Sequence, residues 1–327
     1  MNGAHFRILC LDGGGIRGLI TAILLEKLQK RAGRPLHELF DLIAGTSTGS
    51  ILACGLATGR TPADIRGLYI KHGREVFPAR PRLLFNRLAR LVRPRYGAEG
   101  LEKVLRQELG GDTTLGAAMV KTLVVAYDTR GRKPEVFKSW REDFQAIPMW
   151  QVCRASCAAP TYFPGFEISI PRNDPPETPL IDGGVVANNP SAAALAEARR
   201  LMSETEDESA RIPLDRFVLA SFGAGSNAPS YDLGQIGRWG LARGARPIFN
   251  ILMDGSVVAT NYIVSRLLEP GNHFRFPVKL EQNLIALDDA SPANLEKLQH
   301  RAEKFFDAPD KSQELDGLVE KLVANRP

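Results

Sequence analysis

Leu42-Ile-Ala-Gly-Thr-Ser47-Thr-Gly-Ser50 is the stretch whose reading decides the fold. A short apolar strand runs into Gly45-Thr46-Ser47-Thr48-Gly49, and the apolar helical run Ile51-Leu-Ala-Cys-Gly-Leu-Ala57 follows at once. This is the G-x-S-x-G pattern of a nucleophile elbow, a sharp strand-to-helix turn that strains the serine backbone and exposes its hydroxyl. Gly45 and Gly49 flank Ser47 because a side chain at either position would clash across the turn. The helix N-terminus after Ser47 places partial positive charge where an oxyanion would form. The pentapeptide is common; its strand–turn–helix setting is what makes it informative.

A second glycine loop strengthens the reading. Phe6-Arg-Ile-Leu-Cys-Leu11 reads as a buried strand, followed by Asp12-Gly-Gly-Gly-Ile-Arg-Gly18 and the helical run Leu19–Leu28. That helix is expected to stop near Gly33, with Lys30 and Arg31 in its last turn. Gly13, Gly14 and Gly15 leave backbone N–H groups open at a helix N-terminus, as an acyl-transfer oxyanion requires. Gly13-x-Gly15-x-x-Gly18 also fits the dinucleotide fingerprint, so a nucleotide-binding protein is the competing class. That fingerprint wants an acidic residue at the end of the second strand. Asp41 lies at the start of that strand, and Ser47 follows its far end.

The third element is Pro179-Leu-Ile-Asp182-Gly-Gly-Val-Val-Ala-Asn-Asn-Pro190, a strand ending in an aspartate and two glycines. A serine nucleophile needs a base. His5, His37 and His72 precede or lie close after the serine, on the wrong side for the Ser–Asp–His chain order of common α/β-hydrolases. His273 and His300 are the later candidates, and Asp182 acting directly on Ser47 is the simpler reading. A carboxylate with a pKa near 4 is a poor base in water. Desolvation against the glycine loop would raise it.

Four segments now stand in order: D-G-G-G-I-R-G at 12–18, G-T-S-T-G at 45–49, A-A-P-T-Y-F at 158–163 and D-G-G-V-V-A-N-N-P at 182–190. In order and spacing the chain resembles the patatin-like phospholipases, lipid acyl hydrolases with a Ser–Asp dyad. The resemblance implies a three-layer α/β/α fold and hydrolysis of fatty acyl esters of membrane phospholipids, with no cofactor and no metal. It implies Ser47 as nucleophile and Asp182 as base. Gly13, Gly14 and Gly15 would line the oxyanion hole, and Arg17 occupies the family's basic position in that loop. The family also contains nucleotide-activated antiphage effectors of bacteria, which raises a cyclic nucleotide as a candidate activator. The last third of the chain matches loosely, leaving substrate choice and regulation open.

Bulk properties agree. The chain has 327 residues, 44% of them hydrophobic, enough for one large α/β domain or a domain with a cap. The expectation is a single domain over 1–327, with a motif-bearing core at about 5–225 and a helical C-terminal part from about 230. No apolar run in the sequence approaches ~20 residues, and Met-Asn-Gly-Ala-His leads straight into a strand rather than a signal peptide. A cytoplasmic protein, peripheral at the inner face of the membrane, is expected. Cys10, Cys54, Cys153 and Cys157 lack metal-ligand grouping and read as reduced, buried thiols.

Strand-like runs recur at Phe6–Leu11, Leu42–Ala44, Leu123–Tyr127, Glu135–Lys138, Leu180–Ile181 and Phe217–Ser221, with helical patterns between most of them. The alternation predicts a mainly parallel sheet covered on both faces, with the site at the strand carboxyl ends. The proline-rich loop Pro171–Pro179 is a candidate flap, and Ser203–Ser209 reads as a solvated acidic turn. Leu315, Leu318, Val319, Leu322 and Val323 follow helical spacing and are expected to pack on the body or on a second subunit, a possible homo-oligomer.

One stretch stands out for charge. No acid occurs between Glu75 and Glu99, while arginines accumulate. Over 82–93, Leu84, Phe85, Leu88, Leu91 and Val92 share one helical face, and Arg82, Arg87, Arg90 and Arg93 share the other. Such a helix packs on the core with a solvated basic face, or meets anionic headgroups through Arg87, Arg90 and Arg93. Self-association or an anionic effector is a further use. Nucleic acid is not indicated, because the net charge of +5 is modest and no recognised motif is present.

Overall fold

A computed structural model describes residues 5–79, 93–202, 213–225, 232–237 and 241–324. The first strand, β1 (Phe6–Leu11), is apolar almost throughout because both of its faces are covered. Leu9 and Leu11 enter one core, while Ile8 and Cys10 enter the other. The period-two alternation of a strand thus divides one short run between two layers.

Seven further strands join it: β2 (Leu42–Thr46), β3 (Lys121–Asp128), β4 (Lys133–Lys138), β5 (Phe166–Ser169), β6 (Glu177–Asp182), β7 (Phe217–Phe222) and β8 (His273–Phe276). The ladder runs β5-β6-β3-β2-β1-β7-β8, with β4 also paired to β3. β1, β2, β3, β7 and β8 are parallel. β4 and β6 run antiparallel to β3. Two strands, β5 and β8, escape the sequence reading; each is only four residues long and partly exposed. β8 lies in the mainly helical C-terminal part, which therefore shares the central sheet with the motif-bearing core.

The pairing on β3 positions the site. β4 covers one edge of β3 from Leu123 to Asp128. A strand has only two edges, so β2 and β6 must divide the other: β2 pairs with Lys121–Val125 and β6 with Ala126–Asp128. β2 and β6 consequently meet end to end.

Helices α1 (Gly18–Ala32), α2 (Thr48–Ala57), α3 (Pro62–Val76), α4 (Glu99–Leu109) and α5 (Met149–Ser156) contribute to the larger core on one face. α6 (Ser191–Met202) covers the other face, together with Val264 near the end of α7 (Leu241–Leu267). α1 ends at Gly33, whose φ of 70° is the left-handed conformation a helix stop favours, with Lys30 and Arg31 in the last turn as expected. α8 (Pro292–Glu303) and α9 (Pro309–Val323) pack on α1; Leu315, Leu318 and Leu322 are buried and Val323 stays exposed. The tail's apolar stripe is used within the chain.

Within α7, Ile248–Leu267 is long and apolar enough by length and composition to cross a membrane, although no unbroken apolar run marked it in the sequence. Phe249, Met253 and Val264 from that segment are buried in the protein. The proline-rich loop is fastened rather than loose: Arg172 bridges Glu135 and Asp143, and Asn173 Nδ2 donates to Thr178 Oγ1 at 2.7 Å. Arg87 and Arg90, most of the basic helix, and the acidic turn Ser203–Ser209 lie outside the described residues; Arg93 is exposed.

Candidate active site

Ser47 follows the last residue of β2 and caps α2, with φ 53° and ψ −125°. That backbone is rare for a residue with a side chain and marks a strained turn. Its glycine neighbours are required by contact: a Cβ on Gly45 would lie 2.1 Å from Gly49 O, and one on Gly49 would lie 2.0 Å from Leu11 O. Ser47 Oγ donates to Asp182 Oδ2 at 2.7 Å. Asp182 Oδ1 accepts the Gly184 N–H at 2.7 Å, which turns the carboxylate toward the serine. Asp182 is fully buried, and desolvation pushes its pKa up to about 7 against the lowering effect of these two hydrogen bonds.

The glycine loop lies beside this pair. A Cβ added to Gly13 would come within 3.1 Å of Ser47 Cβ. Sequence reasoning aimed all three glycine amides at an oxyanion, and the structure corrects one of them. Gly13 N–H is already donated to Asn188 O at 3.0 Å. Among the described residues the amides of Gly14 and Gly15 donate to no protein acceptor, so these two are the available donors. Gly15 takes φ +58°, and the following Ile16 N–H is held by Leu287 O at 2.9 Å. Arg17 is buried beneath the loop and its Nε donates to Gly14 O at 3.3 Å. Burial lowers its pKa to about 10, with Asp254 on α7 opposing the shift. Arg17 therefore fastens the loop from below.

Ser47 and Asp182 both line one apolar pocket, whose space of about 710 Å³ includes part of the open solvent at its mouth. Its walls include Ile51 of α2, Leu68 and Val76 of α3, Leu101 and Leu105 of α4, and Phe249 and Met253 of α7. A buried hydroxyl–carboxylate pair on the wall of an apolar pocket suits an ester whose acyl part is hydrocarbon.

A profile described as patatin-like phospholipase matches residues 9–195, more than half of the chain. The chain belongs to the patatin-like phospholipase family. Patatin-like protein 1 of Arabidopsis thaliana is 29% identical over 360 residues, covering 99% of this chain and 87% of the relative. Patatin-like protein 1 of Oryza sativa subsp. indica is 32% identical over 286 residues, covering 78% and 68%. In fold, human GIVD cytosolic phospholipase A2 is similar with a TM-score of 0.50 at 11% identity, covering 98% of this chain and 60% of that one. Family membership supports lipid hydrolase activity for this patatin-like chain.

The remaining candidates fall away for physical reasons. His273 begins β8, level through β7 with Ile8, well short of the carboxyl end of β1 where the site lies. Its pKa is lowered to about 4, chiefly by burial. His300 is exposed on α8. The nucleotide reading loses its acid, because Asp41 Oδ2 accepts the Arg7 N–H at 2.7 Å at the opposite end of β1 from the glycines. All four cysteines are buried and free, as expected.

Two residues of this patatin-like site went unnoticed in the sequence. Ser156, the last residue of α5, accepts the Ser47 N–H at 2.8 Å and donates to Val125 O at 2.6 Å. No motif marks it; it was one more small residue at a helix end. Asn188 sits inside the D-G-G-V-V-A-N-N-P segment and touches Gly13 through both backbone and side chain. Its presence in that segment was the available signal.

Proposed function

We propose that the chain is a phospholipase A-type serine hydrolase of membrane phospholipids, working through Ser47 and Asp182. The observation that carries this reading is the 2.7 Å contact between Ser47 Oγ and Asp182 Oδ2 on the wall of an apolar cavity. A carboxylate with a pKa of about 7 is matched to proton transfer near neutral pH.

Ser47 Oγ bonds to the ester carbonyl carbon while its proton passes to Asp182. The tetrahedral oxyanion is held by the Gly14 and Gly15 amides, with partial charge from the α2 N-terminus in support. Collapse expels the lysolipid alcohol, which takes the proton from Asp182 and leaves the acyl group on Ser47. Water then attacks, Asp182 takes its proton and returns it to Ser47 Oγ, and fatty acid leaves. Arg17 serves by holding the glycine loop.

Contact with the membrane falls best to α7. One side of this helix lines the cavity through Phe249 and Met253, while Ile251, Leu252, Val258, Tyr262 and Ile263 face outward and are exposed. Apolar area of this kind beside a lipid pocket suits shallow insertion among headgroups.

Release of fatty acid from phospholipid vesicles, compared between wild type and Ser47→Ala, tests the catalytic reading. A loss of roughly 10⁴-fold or more is expected. Near-normal activity in the variant would end it. Running the same assay with a panel of cyclic nucleotides tests whether the enzyme is ligand-gated.

A further inference from the structure

Asp12 stands between the end of β1 and the glycine loop, and it is buried. Consecutive Cα atoms are about 3.8 Å apart, so Asp12 Cα lies within about 7.6 Å of Gly14 Cα. An ionised carboxylate this close to the Gly14 and Gly15 amides opposes catalysis, because it repels the charge that develops on the substrate oxygen. The loop therefore needs a cation beside Asp12.

Arg275 of β8 supplies it from two strands away. Cys10 of β1 is level with Ser221 of β7, and Ser221 is level with Arg275. Arg275 Nη1 donates to Asp12 Oδ1 at 3.0 Å and to Ser221 Oγ at 2.6 Å, while Nη2 donates to Asp12 Oδ2 at 2.5 Å. The guanidinium also lies close to the loop. A carbon added to Gly223 would meet Arg275 Nη2 at 3.2 Å, and one added to Gly14 would meet Cβ of the next residue, Ala224, at 2.4 Å. Nothing else described near Asp12 can replace this charge. Burial pushes the Cys10 thiol up to about 12 and the His273 imidazole down to about 4, so both are neutral near neutral pH. Burial also raises the pKa of Asp12, and Arg275 opposes that rise. Arg17, held at Gly14 O, has Asp254 as its own opposing charge. Arg275 lies outside residues 9–195, the part of the chain that the family profile matches.

On the Ser47–Asp182 reading above, we infer that Arg275 is a positioning residue for the oxyanion hole. It acts through Asp12, cancelling the carboxylate so that the field at the Gly14 and Gly15 amides favours an oxyanion. The neutral ester feels that field weakly. The tetrahedral transition states of acylation and deacylation, with negative charge on the former carbonyl oxygen, feel it strongly. The effect therefore belongs to kcat, with KM nearly unchanged.

A double-mutant comparison separates charge from simple anchoring of the loop. Kinetics are read on a soluble chromogenic ester, and the melting temperature of each variant shows that it is folded at the assay temperature. Arg275→Gln leaves the Asp12 carboxylate uncompensated, and kcat should fall about 10- to 100-fold with KM within a few-fold of wild type, as one charge roughly 8 Å away at an effective dielectric of ~20 implies. Adding Asp12→Asn to that variant removes the offending charge and should bring kcat back to within a few-fold of wild type. A folded double variant as slow as Arg275→Gln would overturn the charge role of Arg275 and leave the dyad standing. If either variant fails to fold, Arg275→Lys takes their place, since it keeps the charge and loses the two-pronged fork. Its kcat should stay within a few-fold of wild type, and a loss of about tenfold or more in the folded protein would overturn the role. Fluorophosphonate labelling of wild-type Ser47 is run alongside; failure to label would instead overturn the dyad.

Discussion

Ser47 and Asp182 meet because two strands run head-on along one edge of a third. β2 pairs Thr46 with Val125 and then stops. β6, arriving from the opposite direction, ends by pairing Asp182 with the next residue, Ala126. Ser47 and Asp182 thus occupy the junction between two collinear strands, 135 residues apart in the chain and 2.7 Å apart in space. Both residues lie at the carboxyl ends of their strands, with β6 reaching the junction from the reverse direction.

That arrangement predicts a pH profile. Asp182 must be ionised to accept the serine proton, and burial raises its pKa to about 7. On a soluble ester, kcat/KM should rise by about tenfold per pH unit up to that value and then level off. A profile that stays flat from about pH 5 upward would show that a different group is the base.

The same burial makes Asp182 costly to the fold when ionised. Its folded pKa of about 7 exceeds the ordinary 3.8, so the native state favours the protonated acid. The stabilising contribution of protonation is complete below the unfolded value and is lost as pH rises through the folded one. Asp182→Asn should therefore melt above wild type at about pH 8, with the gap closing toward about pH 4. Each kcal/mol corresponds to about 2–4 °C for a chain of this order. Thermal melts across that range decide it, and a gap independent of pH would refute the argument.

Ser156 completes the strand junction. Where β2 ends, its hydroxyl takes the Ser47 N–H and passes a hydrogen bond to Val125 O. Ser156→Ala would leave both groups buried without partners, at a cost of about 1–3 kcal/mol. Urea denaturation should register that loss, and kcat should fall because the strained Ser47 backbone is less firmly held. An unchanged midpoint together with unchanged kcat would remove Ser156 from this role.

Glycine substitutions should separate by what they strike. An alanine at Gly49 places Cβ 2.0 Å from Leu11 O, a backbone atom of a central strand, and should prevent stable folding. At Gly33 no atom lies within 4 Å, so alanine meets only its backbone penalty of about 1 kcal/mol. Comparing soluble yield and circular dichroism melts of the two variants tests this contrast. A well-folded Gly49→Ala protein would contradict the elbow geometry.

The membrane reading of α7 differs from that of the basic stretch in its salt dependence. Replacing Ile251, Val258 and Ile263 together by serine should weaken vesicle binding by about 10²-fold, given ~1 kcal/mol or more for each partly buried side chain. That loss should persist at high salt, because hydrophobic burial is not screened. The triple change of Arg87, Arg90 and Arg93 to glutamine should matter mainly at low salt if those side chains meet anionic lipid. Co-sedimentation with vesicles at graded ionic strength separates the two surfaces; full binding by the serine variant would exclude α7.

Short-range order was legible in the sequence wherever the cause is local. The Gly45–Gly49 turn, the Asp12–Gly18 loop and the Gly33 helix stop depend on backbone conformations that glycine permits and on close approaches that other residues forbid. Strand runs such as Phe6–Leu11 were readable because burial on both faces demands continuous apolar residues. Ser47 and Asp182 could be named as partners only through the ordered motifs, since no local spacing links them. The reversed direction of β6, the Ser156 splice and the engagement of Gly13 N–H by Asn188 belong to tertiary structure alone. Each depends on which backbone edge is left free when distant segments pack, and hydrogen-bond satisfaction across such contacts leaves no periodic trace in a one-dimensional chain.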